Sequence, residues 1–165
     1  MAPHMFRRGI VGLSLLLAVA FSPHLAGQAH GADPVATGTW TLVSQTKTLI
    51  GTAGGNQFFS VVESPAYVGG LTGTAVDRYL LVVHADGSLH GQGIETCDNC
   101  TIGGRTGDYI ATFTFAASGT QQHSRLVFQG GTGGLTGLHG EGTFEVTQTT
   151  PVTGGTYAYG YHFAP

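Results

Sequence analysis

The stretch Asp108–Ala117, DYIATFTFAA, alternates without a break. Tyr109, Ala111, Phe113 and Phe115 fall on one side, and Asp108, Ile110, Thr112 and Thr114 on the other. A period of two is the signature of a β-strand with one buried face, because successive side chains leave a pleated backbone in opposite directions. Working outward, the same period recurs. Upstream, Thr37–Lys47 sets Trp40 and Leu42 against Thr39 and Thr41. Gln57–Ala66 is a second strand, ended by Ser64-Pro65, and Thr72–His84 is a long third. Ala85-Asp86-Gly87-Ser88 reads as a two-residue hairpin turn centred on Asp-Gly, from which Leu89–Thr96 returns. Downstream lie His123–Gln129, Gly142–Thr149 and Thr156–Phe163. These are about eight strands with short links and no crossover helix, so neighbours are antiparallel. The fold class predicted is all-β, a closed antiparallel barrel of about eight strands, since closure removes the unpaired edges. A β-sandwich is the alternative, because alternation alone does not separate the two.

The first residues differ in kind. Arg7 and Arg8 precede an uncharged run, Ile10–Phe21, and the small residues of LAGQAHGA follow. That order predicts a secretory signal peptide over 1–32, cleaved between 29 and 32 and leaving a single barrel domain over 33–165. The apolar run is short for a membrane span, which needs about 20 residues. Export to the cell envelope or the medium is expected, by the general or the twin-arginine route.

All nine acidic residues lie beyond this leader, opposed there by Lys47, Arg78, Arg105 and Arg125. With no basic patch to neutralise phosphates, nucleic acid is not an expected partner. Gly69-Gly70-Leu71-Thr72-Gly73 recurs as Gly133-Gly134-Leu135-Thr136-Gly137 at another strand connection. Neither copy carries the Lys-Ser/Thr of a phosphate loop, and both read as turns whose leucine plugs the barrel end.

Gln129–Val146, QGGTGGLTGLHGEGTFEV, carries a Gly-rich turn and then Leu135, Gly137, Leu138, Gly140, Gly142, Thr143 and Phe144 in a Leu-x-Gly-Leu-x-Gly-x-Gly-Thr-Phe pattern. With Gly70–Thr74 and Tyr79–Val83, it resembles a bacterial family of unknown function with an allene oxide cyclase-like, calycin-type barrel. The resemblance implies kinship with dirigent proteins and with cyclases of polyketide intermediates, which act without cofactors by holding an apolar chain in a reactive shape. It transfers no catalytic residue, and function inferred from fold is analogy.

Two functions from different classes follow. The first is a binding module for an apolar small molecule in the lumen. The alternative is a cofactor-independent cyclase or isomerase of a polyketide- or lipid-like substrate. The lumen is expected to be lined by Trp40, Phe113, Phe115, Leu126, Phe128, Phe144 and Val146, each on the more apolar parity of its strand. Glu63 is the candidate catalytic residue: if Phe59 and Val61 face inward, period two carries it inward and burial raises its pKa. If Phe58 and Val62 face inward instead, it is solvated. Glu95, Glu141 and Glu145 read as strand-end or outer-face residues. Cys97 and Cys100, in a loop between strands, are expected to form a disulfide, with a redox pair and a metal site as rivals. No metal is expected. The five histidines beyond the leader are scattered, and the two-residue hairpin sends His84 and His90 to opposite faces. Tyr157, Tyr159, Tyr161 and Phe163 form either core or an interface to a second copy, with Ala158 and Gly160 opposite them.

Overall fold

The computed structural model describes residues 32–119, 121–147 and 152–165, so the expected leader lies outside the described residues. The unit Ala32–Pro165 is a closed barrel in which every strand pairs antiparallel with its chain neighbours and β1 closes on β8. The strands are β1 (Val35–Ala53), β2 (Asn56–Gly69), β3 (Leu71–Val83), β4 (Leu89–Ile102), β5 (Arg105–Ser118), β6 (Gln121–Gly131), β7 (Leu138–Val146) and β8 (Gly154–Phe163). One 3-10 turn, Gly133–Leu135, joins β6 to β7. Leu135 and its echo Leu71 are both fully buried in the core. No described helix is long and apolar enough to cross a membrane.

Three local departures from the sequence expectation have physical reasons. β2 does not end at Ser64-Pro65 but runs to Gly69. Pro65 faces Leu42 beside a bulge, where Val43 is the extra residue of β1. A strand tolerates proline at a bulge, because there the ladder does not require its missing N–H. The turn after β3 has three residues, Ala85–Gly87, rather than two. His84 N–H bonds Ser88 O, Gly87 N–H bonds His84 O, and Gly87 has φ +84°. This is the tight turn followed by a left-handed glycine. It shifts the register by one, so Val83 faces Leu89 and Val82 faces His90. The cysteines do not lie in a loop between strands. They sit inside β4, astride a bulge at Asp98-Asn99, where Asn99 is left-handed (φ +57°) and its N–H bonds Asp108 Oδ1 at 2.9 Å. Of the two readings of β8, the core one holds: Tyr157 and Tyr159 point into the core, leaving Ala158 outside.

The Cys97–Cys100 disulfide closes the bulge, with both sulfurs buried and the Cα atoms 5.9 Å apart. The cross-link restrains only a few residues in the unfolded chain. Replacing both cysteines by serine should therefore cost about 2 kcal/mol in urea unfolding and leave the barrel intact. A loss of all β circular dichroism at zero denaturant would show instead that the bridge is needed for the bulge to form.

Candidate functional site

Because antiparallel partners share a face, the register stacks inward side chains into rows around the barrel. One row runs Gln45, Glu63, Asp77, Glu95, Ala111, Phe128 across β1 to β6. Three carboxyls on adjacent strands thus point into the lumen side by side. The Val43 bulge makes the row possible. It reverses the parity of β1, so Gln45 joins Glu63 on the face that Trp40 and Leu42 occupy earlier in the strand. The next row outward is Val61, Tyr79, Gly93, Phe113, Leu126. The absent side chain of Gly93 leaves room for Tyr79, since a Cβ there would lie 2.4 Å from the Tyr79 Cβ.

Glu95 is 1% exposed, and this corrects its outer-face assignment. Tyr67 and Tyr109 each donate a 2.6 Å hydrogen bond to it, one to each carboxylate oxygen. Burial pushes its pKa up, and those two hydroxyls offset part of the rise. Asp77 is 7% exposed, and its Oδ1 has no hydrogen-bond partner. Burial, and then the neighbouring Glu95 and Glu63, raise its pKa to about 10, so it holds its proton at neutral pH. Glu63 is half-buried and faces inward: Val61 is 1% exposed and Val62 41%. Its Oε2 accepts from Gln45 at 2.7 Å and from Tyr79 at 3.0 Å. Burial, and then Glu63, push the Tyr79 hydroxyl up.

Above the acids the lumen is aromatic. Phe113 packs edge-on to Tyr79 and Phe144, with ring centroids 5.6 and 6.0 Å apart. The cavity between them is lined by Trp40, Glu63, Tyr67, Asp77, Glu95, Phe113, Phe115, Leu126 and Phe144. Its volume is about 40 Å³.

The structure thus gathers Glu63, Trp40, Phe113, Phe115, Leu126 and Phe144 around one cavity. Phe128 is buried further in, edge-on to Tyr109, and Val146 packs at the periphery of the core. The carboxyl that sequence reasoning missed is Asp77. Two residues apart along β3, Leu81, Tyr79, Asp77 and Ala75 carry the signal. Glu141 is exposed and pairs with Arg125. His90 and His123 share the outer face with Ala116 between them. No group of three potential ligands converges on a metal-binding arrangement among the described residues.

Fold and site together define a small antiparallel barrel whose lumen holds an aromatic-walled cavity floored by carboxyls. The chain belongs to the DUF3224 family, described as proteins of unknown function, whose model matches residues 36–159. A crystal structure of a DUF3224 protein of unknown function from Shewanella oneidensis MR-1 superposes with a TM-score of 0.65 at 20% identity, covering 81% of this chain and 98% of that one. At that identity the likeness establishes the fold. Neither comparison bears on the allene oxide cyclase-like part of the resemblance. No curated protein matches the chain.

The raised carboxyls make stability depend on pH. An unfolded Asp loses its proton near 3.8, whereas folded Asp77 keeps it to about 10. Between these values the native state binds more protons, so stability is greatest at the low end and falls as pH rises. Exposed Asp86 and Asp108, whose pKa values are lowered, act only below this window. The melting temperature should drop by several degrees from about pH 5 to about pH 9, and Asp77→Asn should flatten that slope. An equal slope in D77N, followed by scanning calorimetry, would place the proton elsewhere.

Proposed function

We propose that this protein is exported and binds one small molecule in its lumen, with an apolar, ring-sized body and a polar end. The observation that carries the reading is the cavity itself. Its walls are Trp40, Phe113, Phe115 and Phe144 and its floor is polar, the mixed lining of a small-molecule site. A lumen meant only for packing would be filled across this level, as it is around Tyr159, Leu71 and Leu135. The specific polar end departs from a purely apolar carrier.

One observation favours a second reading, a cofactor-independent cyclase or isomerase. Asp77 retains a proton beside Glu63, and two carboxyls whose environments differ are the arrangement from which an acid and a base are drawn. In that reading Asp77 donates to a developing oxyanion and Glu63 accepts a proton from the adjacent carbon. Orientation by the aromatic walls supplies the rest.

Trp40 is the only tryptophan of the chain and lies in the cavity wall, so binding there has a built-in reporter. Nile red, a neutral apolar dye, should gain fluorescence and perturb Trp40 emission, and Phe144→Asp at the half-buried rim should weaken it at least tenfold. Dye binding that ignores both F144D and Phe113→Asp in folded protein would remove the lumen as the site. Export is tested separately: N-terminal sequencing of protein recovered outside the cytoplasm should find a new terminus between Ala29 and Asp33. An intact Met1 there would refute cleavage.

A further inference from the structure

The lumen contains more acid than its own structure uses. Glu95 is accounted for, with one tyrosine hydroxyl on each oxygen. Asp77 is accounted for only in part: its carboxyl interacts with that of Glu95, but it is more than nine-tenths buried, lines the cavity, and presents Oδ1 with no partner. Only one other buried side-chain polar atom among the described residues lacks a hydrogen bond, Tyr159 Oη. Glu63, the next carboxyl along the row, receives both its hydrogen bonds on Oε2, which leaves Oε1 to the cavity. No described lysine or arginine pairs with any of the three. Lys47 lies over the Phe59 ring, Arg105 over the Phe163 ring, and Arg125 pairs with Glu141. A buried polar atom left without a partner is costly, so Oδ1 is where an incoming hydrogen-bond donor gains most.

What arrives must offer hydrogen-bond donors and positive charge to acceptors at the floor, and an apolar body to the walls. A primary ammonium has three N–H donors and no acceptor. Aromatic faces beside it add attraction through their negative quadrupole. The cavity, about 40 Å³, has room for a compact ammonium head rather than a branched one.

We infer that the ligand of the lumen is an organic amine, its ammonium seated between Asp77 Oδ1 and Glu63 Oε1 and its apolar body held by Trp40, Phe113, Phe115 and Phe144. This rests on the lumen-binding reading above and specifies its chemistry. Seating the cation exchanges charge. In the empty protein Asp77 is protonated, facing Glu63 on β2 and Glu95 on β4, with Tyr79 on its own strand and Tyr67, Tyr109 and Tyr159 nearby. The ammonium takes the place of that proton, which leaves to solvent. Affinity therefore rises with pH while the amine stays charged.

The test compares three probes of nearly identical body by Trp40 emission: 2-phenylethylammonium, 2-phenylethanol and phenylacetate. The ammonium should bind at least tenfold more tightly than the alcohol, and phenylacetate should not bind. Calorimetry at pH 7.5 in buffers of different ionisation heat should show about one proton released per ammonium bound. Asp77→Asn and Glu63→Gln should each weaken the ammonium about tenfold and leave the alcohol unchanged. E63Q, at the half-buried end of the row, keeps the test decisive where D77N does not fold. If the alcohol binds as tightly as the ammonium, or E63Q leaves the ratio untouched, the amine assignment is overturned and lumen binding stands. If none of the three perturbs Trp40 or displaces Nile red bound in the lumen, the amine assignment is likewise overturned; if Nile red itself does not bind there, the lumen-binding reading falls and takes this inference with it.

Discussion

The carboxyl of Glu95 is the constraint around which this lumen is arranged. A carboxyl at 1% exposure with no cation beside it is expensive in either protonation state unless its oxygens are satisfied. Two tyrosines from different strands, Tyr67 on β2 and Tyr109 on β5, converge to do so. Their rings are positioned in turn by edge-on contacts, Tyr67 on Tyr157 and Tyr109 on Phe128. Tyr157 is itself fixed, accepting from Leu71 N–H at 2.8 Å and donating to Leu71 O at 2.9 Å. The polar network therefore ties β2, β3, β4, β5 and β8 together at the level just below the cavity. A partly satisfied network is worse than an apolar core, so this level has one good arrangement.

Above it the barrel changes character because glycine replaces bulk at chosen points of each row. Gly93 stands between Tyr79 and Phe113, and Gly91 between Leu81 and Phe115. A Cβ on Gly91 would come within 2.2 Å of the Phe115 ring. The rings lean into these gaps and form a wall, leaving the centre of the lumen open toward the mouth. Close packing below and ring-lined space above are both consequences of where the register puts small and large side chains.

The barrel was legible because alternation survives in almost every strand, and because closure follows once no strand has an edge to spare. Asp108–Ala117 carries its parity in plain view: every inward position is Tyr, Ala or Phe. The site was less legible for three separate reasons. At Phe58-Phe59 and Val61-Val62 both parities are apolar, so the face of Glu63 could not be read from the strand itself; its partner Val61 decides it only in three dimensions. At Glu95 the charge argued for the outside, since carboxyls are rarely buried without a partner. Its partners Tyr67 and Tyr109 lie 28 and 14 residues away. At Val43 a bulge reverses β1, and nothing in Thr37–Lys47 marks it except Pro65, which lies on the opposite strand. Asp77 was the most recoverable. It sits at period two from Tyr79 and Leu81, and the Asp86-Gly87 turn comes close to fixing its row, missing by the single residue that the left-handed Gly87 adds.

The glycine-rich motif and the acids occupy different parts of the barrel wall. Gly142 pairs with Tyr159 across β7 and β8, and a Cβ on it would lie 1.9 Å from Ala158 O, so the motif is a requirement for two backbones to approach. The carboxyl row lies on β2, β3 and β4, outside Leu135–Phe144 altogether. A match built on the motif therefore reports how the barrel closes, while the chemistry depends on Glu63, Asp77 and Glu95 at register positions the motif does not contain. Members that share the glycines but differ at these three positions would share the fold and bind something else. The chemistry of a member is then to be read from what its β2–β4 row places opposite the aromatic wall.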